Sequence, residues 1–381
     1  MKKTIYYILL ATILMACNHD VDIESTDNSG NVETDEGVYG TLAQIETDAQ
    51  VQTRSTLSFD YKTKTMLFSW QETDKIGVFP YTADNPSTQS VFNVDKVLSN
   101  HKASFKTNDG DVAFDIKKGT TYLSYLPVYA NNEGGSNSVP VSFRDQVQNN
   151  MVDMKDYYAV GSDRKDYEAS EVKAGEHLPK YDYQTSTAVS PVDGSLHFEY
   201  QRLSSIVRFF LKVTDQITYD EIYVINKEAD FIVEAKMDIS KSVSADAFTN
   251  PVTSHSVSLK LGENGFKVWD DNDTETENKC VLWSDLYGKA YIVLYMMFAP
   301  IDLKSLGVKS TLYVIGHDSD NNKRYYKATL SKINIAQNKV QQWAPDQMND
   351  PDGAIELTPV QVEEWLEDTN FDNEGTGTDD W

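Results

Sequence analysis

Short runs of Val, Ile, Thr, Tyr and Phe recur along the chain, and they constrain its fold more than any other feature. Clusters of Asn, Asp, Gly and Ser separate the runs, a pattern typical of β-strands bounded by turns. No helical period is sustained over more than three turns. About fifteen short strands with few helices predict an all-β protein built as two tandem β-sandwich domains.

The clearest single strand lies near the N-terminus, where period-two alternation runs from residue 39 to residue 52. Such alternation predicts one long strand with a single buried face. Residues on one of its faces include Tyr39, Ala43, Ile45, Ala49 and Val51.

A polar connection, residues 53–56, follows this strand and carries a lone arginine, Arg54, before Ser55. A separable strand followed by an arginine in a polar connection invites proteolysis between Arg54 and Ser55. The alternative is an ordinary solvated loop arginine that is never processed.

The N-terminus reads as an export signal. Lys2 and Lys3 precede a mostly apolar run, residues 4–15, which is too short to cross a bilayer as a mature helix. The residues Leu-Met-Ala-Cys that end at Cys17 resemble a bacterial lipobox. That resemblance implies cleavage before Cys17 and acylation of its thiol and new amino group, which would anchor the chain to a membrane. The alternative is a plain secretory signal with a chance cysteine.

Composition excludes several function classes. The formal net charge of −25 argues against nucleic acid as a partner, because phosphate binding needs a basic surface. Two cysteines, Cys17 and Cys280, cannot build a disulfide framework or a thiolate metal site. The histidines show no metal-ligand spacing, and no catalytic or nucleotide-binding motif is present. We therefore expect no enzyme activity, no cofactor and no metal. The alternative is a surface hydrolase with a carboxylate pair, because pairing in space is not visible in a sequence.

The predicted organisation has five segments. These are a signal peptide (1–16), a lipidated polar tether (17–37), an N-terminal β-sandwich domain (38–194), a C-terminal β-sandwich domain (195–365) and an acidic flexible tail (366–381). Residues 161–190 are charged and are expected to be irregular. Residues 355–365 read as a last strand or strand pair, which Pro359 confines to a sheet edge or a break.

Several motifs, in this order, resemble the fimbrillin-like lipoproteins of Bacteroidetes over nearly the whole chain. Besides Cys17 and Arg54, the resemblance rests on residues 70–79, 122–127, 196–203 and 335–343. The stretch Trp70-Gln-Glu-Thr-Asp-Lys-Ile-Gly-Val-Phe79 looks like the family's Trp-x-x-x-Asp-x-Ile-Gly-Val-Phe. One departure is Asn338, where the family often has glycine.

The resemblance implies a fimbrial (pilus) subunit with two transthyretin-like β-sandwich domains. Such subunits are exported as outer-membrane lipoproteins and cut after an arginine, here Arg54, which removes the first strand. A C-terminal strand of the next subunit then fills the gap by donor-strand exchange. The removed strand would contain Tyr39, Ala43, Ile45, Ala49 and Val51, and the candidate donor residues are Ile355, Leu357, Val360 and Val362.

The implied partners are other fimbrial subunits, the outer membrane through the lipid on Cys17, and a receptor on a host or bacterial surface. Two alternatives stay open. Residues 355–365 could instead be an edge strand of their own domain. The protein could also be a non-polymerising surface lipoprotein that binds a glycan or another ligand.

Overall fold

The computed structural model describes residues 38–41, 58–60, 65–67, 69–81, 89–99, 102–107, 116–128, 135–154, 165–186, 189–192, 194–213, 215–241, 245–269, 279–281, 290–301, 303–330, 335, 340–343 and 355–361. Strands dominate these residues, which confirms the prediction of an all-β fold. Residues 36–381 form one compact unit.

The strands follow in short succession along the chain. Up to residue 202 they are β1 (Val38–Thr41), β2 (Ser58–Asp60), β3 (Thr65–Leu67), β4 (Lys75–Tyr81), β5 (Ser90–Ser99), β6 (Lys102–Thr107), β7 (Thr121–Leu126), β8 (Val139–Ser142), β9 (Gln146–Gln148), β10 (Gln184–Ser186) and β11 (Leu196–Arg202). After residue 202 they are β12 (Ser205–Val213), β13 (Thr218–Ile225), β14 (Phe231–Met237), β15 (Phe248–Ser254), β16 (Ser256–Leu261), β17 (Phe266–Trp269), β18 (Lys279–Val281), β19 (Ala290–Phe298), β20 (Ser310–His317), β21 (Lys323–Leu330), β22 (Val340–Trp343), β23 (Ile355–Glu356) and β24 (Thr358–Val360). The described helices are α1 (Lys165–Ala174), α2 (Leu303–Leu306) and two 3₁₀ turns, Leu178–Tyr181 and Ala245–Ala247.

The strands form several sheets. The first sheet closes on itself in the order β1-β11-β10-β7-β4-β5-β6. A second has the order β19-β12-β22, with β23 also on β12, and a third has the order β18-β17-β13-β20-β21-β24, with β16 on β13. Smaller sheets join β15, β14 and β8, and β2 with β3.

Sheet pairing crosses the predicted boundary between residues 194 and 195. The strand β8 pairs with β14, and β9 pairs with β16, so strands from before the boundary complete sheets that lie after it. The division into two domains at this point stays a prediction.

Strand β12 is buried on both faces. Ile206 and Phe210 belong to one hydrophobic core, whereas Val207, Phe209 and Leu211 belong to a second core. A strand covered on both faces is expected to be mostly apolar, and residues 205–213 are apolar except for Ser205, Arg208 and Lys212. The β12–β19 pair is therefore the wall between the two cores.

Two of the recognised motifs have a packing explanation. Asp74 closes the turn before β4, since its carboxylate accepts from the Gln71 backbone N–H at 2.8 Å. Gly77 leaves room for the Tyr125 ring, because an added Cβ would lie 2.3 Å from a ring carbon. Tyr122 and Tyr125 of the motif 122–127 are both buried in the first core.

The segment 161–190, expected to be irregular, instead contains α1 and a 3₁₀ turn. The helix is held by a buried face made of Tyr167, Glu171 and Ala174. The polar composition of this segment gave no indication of a buried face, because Glu171 is charged and its burial depends on a partner elsewhere in the chain.

Candidate functional site

The first strand occupies a central position in the closed sheet. On one side β1 pairs in parallel with β11, and on the other it pairs antiparallel with β6. The register aligns Gly40 with Phe198 on one side and with Ala103 on the other. The four residues of β1 therefore pair with backbone groups of both β6 and β11. Without β1, the sheet would be open between these two strands.

The neighbouring strands present one buried row and one exposed row to this position. Alongside β1, the buried residues are Leu196 and Phe198 in β11 and Ala103 and Phe105 in β6. Beneath them the Trp70 ring packs edge-on against Phe105, with centroids 4.9 Å apart. The position between β6 and β11 is occupied by β1 and lies above these buried residues. We call this position the β6–β11 gap.

The register places Tyr39 opposite His197 of β11 and Ser104 of β6. Val38 and Gly40 are the β1 residues aligned with the buried row. Of the five residues named for the strand predicted to be removed, Tyr39 lies among the described residues; Ala43, Ile45, Ala49 and Val51 lie outside them, as do Cys17, Arg54 and Ser55. Lipidation, cleavage and strand removal all stay predictions.

The candidate donor segment lies on its own chain and spans two sheets. Ile355 aligns with Leu211 of β12, and three residues later β24 begins and pairs with β21, which places Pro359 opposite Tyr326. Ile355 and Leu357 pack against the second core, and Val360 packs against a small cluster that includes Tyr313. Val362 lies outside the described residues. This docked position agrees with the edge-strand alternative and does not test donation.

The edge of β19 opposite β12 is closed by side chains. The Tyr295 N–H donates to Gln148 Oε1 at 2.9 Å, and Gln148 Nε2 donates to the Val293 carbonyl at 3.0 Å. In the same way the Met297 N–H donates to Gln146 Oε1 at 2.7 Å, and Gln146 Nε2 donates to the Met297 carbonyl at 2.8 Å. Each amide thus reproduces the paired donor and acceptor that a neighbouring strand would offer.

A histidine completes this closure. His177 Nε2 lies 2.9 Å from the Tyr295 carbonyl oxygen and Nδ1 lies 3.2 Å from the Ala174 carbonyl oxygen, and the neutral ring donates to one of these two acceptors at a time. Burial lowers the pKa of His177 to about 4, so the ring is neutral at pH 7.

A buried ion pair fixes α1 beside the same edge. Arg208 Nη2 donates to Glu171 Oε1 at 2.9 Å, and the same carboxylate oxygen accepts from the hydroxyls of Tyr167 and Tyr295 at 2.8 and 2.7 Å. Burial raises the pKa of Tyr295, so its hydroxyl stays protonated as a donor. The network joins side chains from α1, β12 and β19, which are distant in the chain, so no local sequence pattern indicates it.

Other classes of site receive no support among the described residues. Within the ranges given above, no group of three or more His, Cys, Asp or Glu is placed to hold a metal ion. No helix of this part of the chain is long and apolar enough to cross a membrane.

Comparisons with known proteins gave structural neighbours only. No family model and no curated protein matches the chain. A candidate cell adhesion protein of Bacteroides ovatus is 12% identical, with 85% of this chain and 95% of the other covered and a TM-score of 0.44. A candidate cell adhesion protein of Bacteroides uniformis is 11% identical, with 77% and 92% covered and a TM-score of 0.42. A fimbrial protein of Bacteroides ovatus is 12% identical, with 81% and 48% covered and a TM-score of 0.30. At these TM-scores, the likenesses establish neither a shared fold nor a shared function.

Proposed function

We propose that this chain is a non-catalytic, adhesive subunit of a cell-surface fibre that assembles by strand replacement. The observation that carries the proposal is the position of β1, which lies between β6 and β11 and closes the first sheet. The chain continues from β1 toward Arg54, so a cut after Arg54 would sever β1 from the rest of the sheet.

Loss of β1 would create a site for another strand. Backbone N–H and C=O groups of β6 and β11 would lose their partners, and the apolar floor of the β6–β11 gap would meet water. An extended segment of a second copy can restore both the hydrogen bonds and the burial, which is recognition by β-augmentation. Hydrogen bonds lost and regained nearly balance, so slow dissociation matters more to such an assembly than net bond count.

Export and anchoring complete the proposal. Acyl chains on Cys17 would hold the uncut precursor at the outer membrane, and the cut after Arg54 would release it from that anchor. Anionic headgroups would repel the strongly acidic chain, so the acyl chains on Cys17 are its expected contact with the membrane. The partner for assembly is a second fibre subunit, which supplies the residues Ile355, Leu357, Val360 and Val362 or their equivalents.

The first test is the N-terminus and assembly state of Arg54→Ala, produced in a bacterium that assembles the native protein. Native protein is expected to start at Ser55 and to form high-molecular-weight ladders. Arg54→Ala is expected to start at acylated Cys17 and to stay monomeric, whereas Lys64→Ala, a nearby basic residue, should behave as the native protein. Ladders that persist in Arg54→Ala would overturn the proposal.

A second test separates cutting from strand loss. Tyr39 and Ser104 are opposite each other in the antiparallel β1–β6 pair, so a Tyr39→Cys, Ser104→Cys variant in a Cys280→Ser background can link the two strands. We expect this variant to be cut after Arg54 yet to assemble only after reduction. The Tyr39→Cys single variant in the same background is the control. Assembly without reductant, with the link verified by mass spectrometry, would contradict strand replacement at this position.

A further inference from the structure

A cavity of about 400 Å³ lies at the edge of the third sheet, where β24 meets β21. One wall is formed by Pro359, Val360 and Gln361 of the C-terminal segment. Ligand pockets of proteins begin at about this size, which suits a ligand of one or two small rings.

The polar lining of the cavity is charge-balanced. Its ionisable carboxylates are Asp215 and Asp318, and its cations are Lys323 and Arg324. Two negative and two positive charges give the lining no net charge, so a neutral ligand suits it better than an anion or a cation.

The polar groups are held in fixed positions. Asp318 accepts from the backbone N–H groups of Asp320 and Asn322 and from Arg324 Nη2 at 2.7 Å. These donors lower the pKa of Asp318 to about 2, so the carboxylate stays ionised and holds the guanidinium in place. A guanidinium has five N–H donors, so one bond to Asp318 leaves it able to bind further acceptors.

A second pair faces the same space. The Tyr326 hydroxyl donates to Asp215 Oδ2 at 2.6 Å, and Ile217 lies beside them in the lining. Together with Pro359 and Val360, Ile217 gives the cavity apolar surface next to carboxylate and guanidinium groups. A neutral ligand that needs both kinds of surface is a saccharide, which combines apolar C–H faces with hydroxyls that donate and accept.

We propose that this cavity binds one or two rings of a neutral saccharide. Arg324 and Asp215 bond its hydroxyls, and the docked C-terminal segment closes the site. Saccharide binding itself does not depend on fibre assembly. Its consequence for assembly rests on the proposed function: a ligand that binds only the docked segment stabilises that form and opposes donation of residues 355–362.

The test is saturation-transfer NMR and calorimetry on the uncut Arg54→Ala protein with methyl glycosides of glucose, galactose, mannose and N-acetylglucosamine, and with lactose and maltose. At least one saccharide is expected to bind at millimolar concentration. Arg324→Ala is expected to weaken binding about tenfold, the loss of one bond to a charged group. Lys260→Ala, an exposed cation outside the cavity lining, is the matched control and should retain the affinity.

Deletion of residues 358–381 removes the wall formed by Pro359, Val360 and Gln361 and should abolish binding. Circular dichroism checks that the truncated protein remains folded, and Asp215→Asn gives an independent full-length variant that should also bind more weakly. Absence of binding by the whole panel would overturn the proposal, as would an affinity unchanged in both Arg324→Ala and Asp215→Asn. Because the protein used here is never cut, failure of this test leaves strand replacement unaffected, and failure of strand replacement leaves saccharide binding unaffected.

Discussion

Two strand edges in this molecule are closed in different ways. Between β6 and β11 the closure is another main chain, the four residues of β1, and its hydrogen bonds are sequence-independent. Along β19 the closure is made by the amides of Gln146 and Gln148 and the ring of His177. Main-chain pairing can be replaced by any extended segment, whereas side-chain closure needs those particular residues. Of these two edges, the first would accept a replacement strand under the proposed function, and the second is covered by specific side chains.

Removing the two amides that close the edge of β19 is expected to destabilise the protein most. A Gln146→Ala, Gln148→Ala variant leaves four buried backbone groups of β19 without these partners, at about 1 kcal/mol or more each. We expect at least about 4 kcal/mol of lost unfolding free energy in urea denaturation. Light scattering should also show concentration-dependent association through the newly opened edge. Asn149→Ala, an exposed neighbour, is the control, and a double variant as stable and monomeric as this control would contradict edge protection.

The next largest effect concerns the helix beside that edge. Glu171→Gln keeps an acceptor for Tyr167 and Tyr295 but leaves the buried Arg208 without its counter-charge. Breaking a buried pair by removing one partner costs about 3–5 kcal/mol, and we expect about 3 because the amide still accepts hydrogen bonds. Urea denaturation measures the loss, with the exposed Glu263→Gln as control. A change below that of the control would show that the pair does not hold α1 in place.

The stability contributed by His177 at the edge of β19 is expected to depend on pH. His177 has its pKa lowered to about 4 in the folded protein and near 6.5 in the unfolded chain, so the unfolded chain binds more protons between these values. Stability is therefore complete above pH 6.5 and is lost as pH falls toward 4. At pH 5 the expected loss is about 2 kcal/mol, from about 1.4 kcal/mol for each unit below 6.5.

The measurement is urea denaturation at pH 7.5 and pH 5 for the native protein and for His177→Gln. The variant keeps an amide donor toward the Tyr295 carbonyl and cannot titrate, so its loss of stability should be smaller by about this 2 kcal/mol. An identical loss in both proteins would show that His177 does not cause the pH dependence of stability.

The smallest expected effect lies on the exposed row of β11. Glu199 is aligned with Thr41 of β1 and is exposed. Exposed substitutions away from special features change stability by about 0.5 kcal/mol or less, and we expect Glu199→Gln to do the same in thermal unfolding of the uncut protein. A larger destabilisation would mean that this face of β11 also contributes to the closure by β1.

Local patterns allowed the strands to be predicted, but not their partners. The hairpin of β20 and β21 turns at residues 318–322, a stretch of Asp, Asn and Ser that is typical of a hairpin loop, because Asp318 accepts from the loop's own backbone while Asn321 adopts a positive φ of 64°. These are contacts within a few residues, which a sequence displays directly.

The features that need distant contacts were not predictable in the same way. The buried face of α1 includes Glu171, whose partner Arg208 lies in a strand that reads as apolar. Gln146 and Gln148 give a weak signal, two amides spaced by two in a short strand, yet nothing local identifies β19 as their target. The position of β1 between β6 and β11 likewise depends on pairing over more than sixty residues on one side and more than one hundred and fifty on the other.

The shared wall of β12 has a mechanical consequence. Strand β11 leads almost directly into β12; β1 lies parallel to β11, and β22, which precedes the donated segment 355–362, lies parallel to β12. In a fibre of the proposed kind, tension arriving at the β6–β11 gap and leaving through the C-terminal segment would pass along this single stretch of chain. Parallel neighbours pulled along their length share the load across all their hydrogen bonds at once, so they resist better than strands that peel apart one bond at a time. Strand β12, which is buried on both faces, would then carry the tension between the two ends of the subunit.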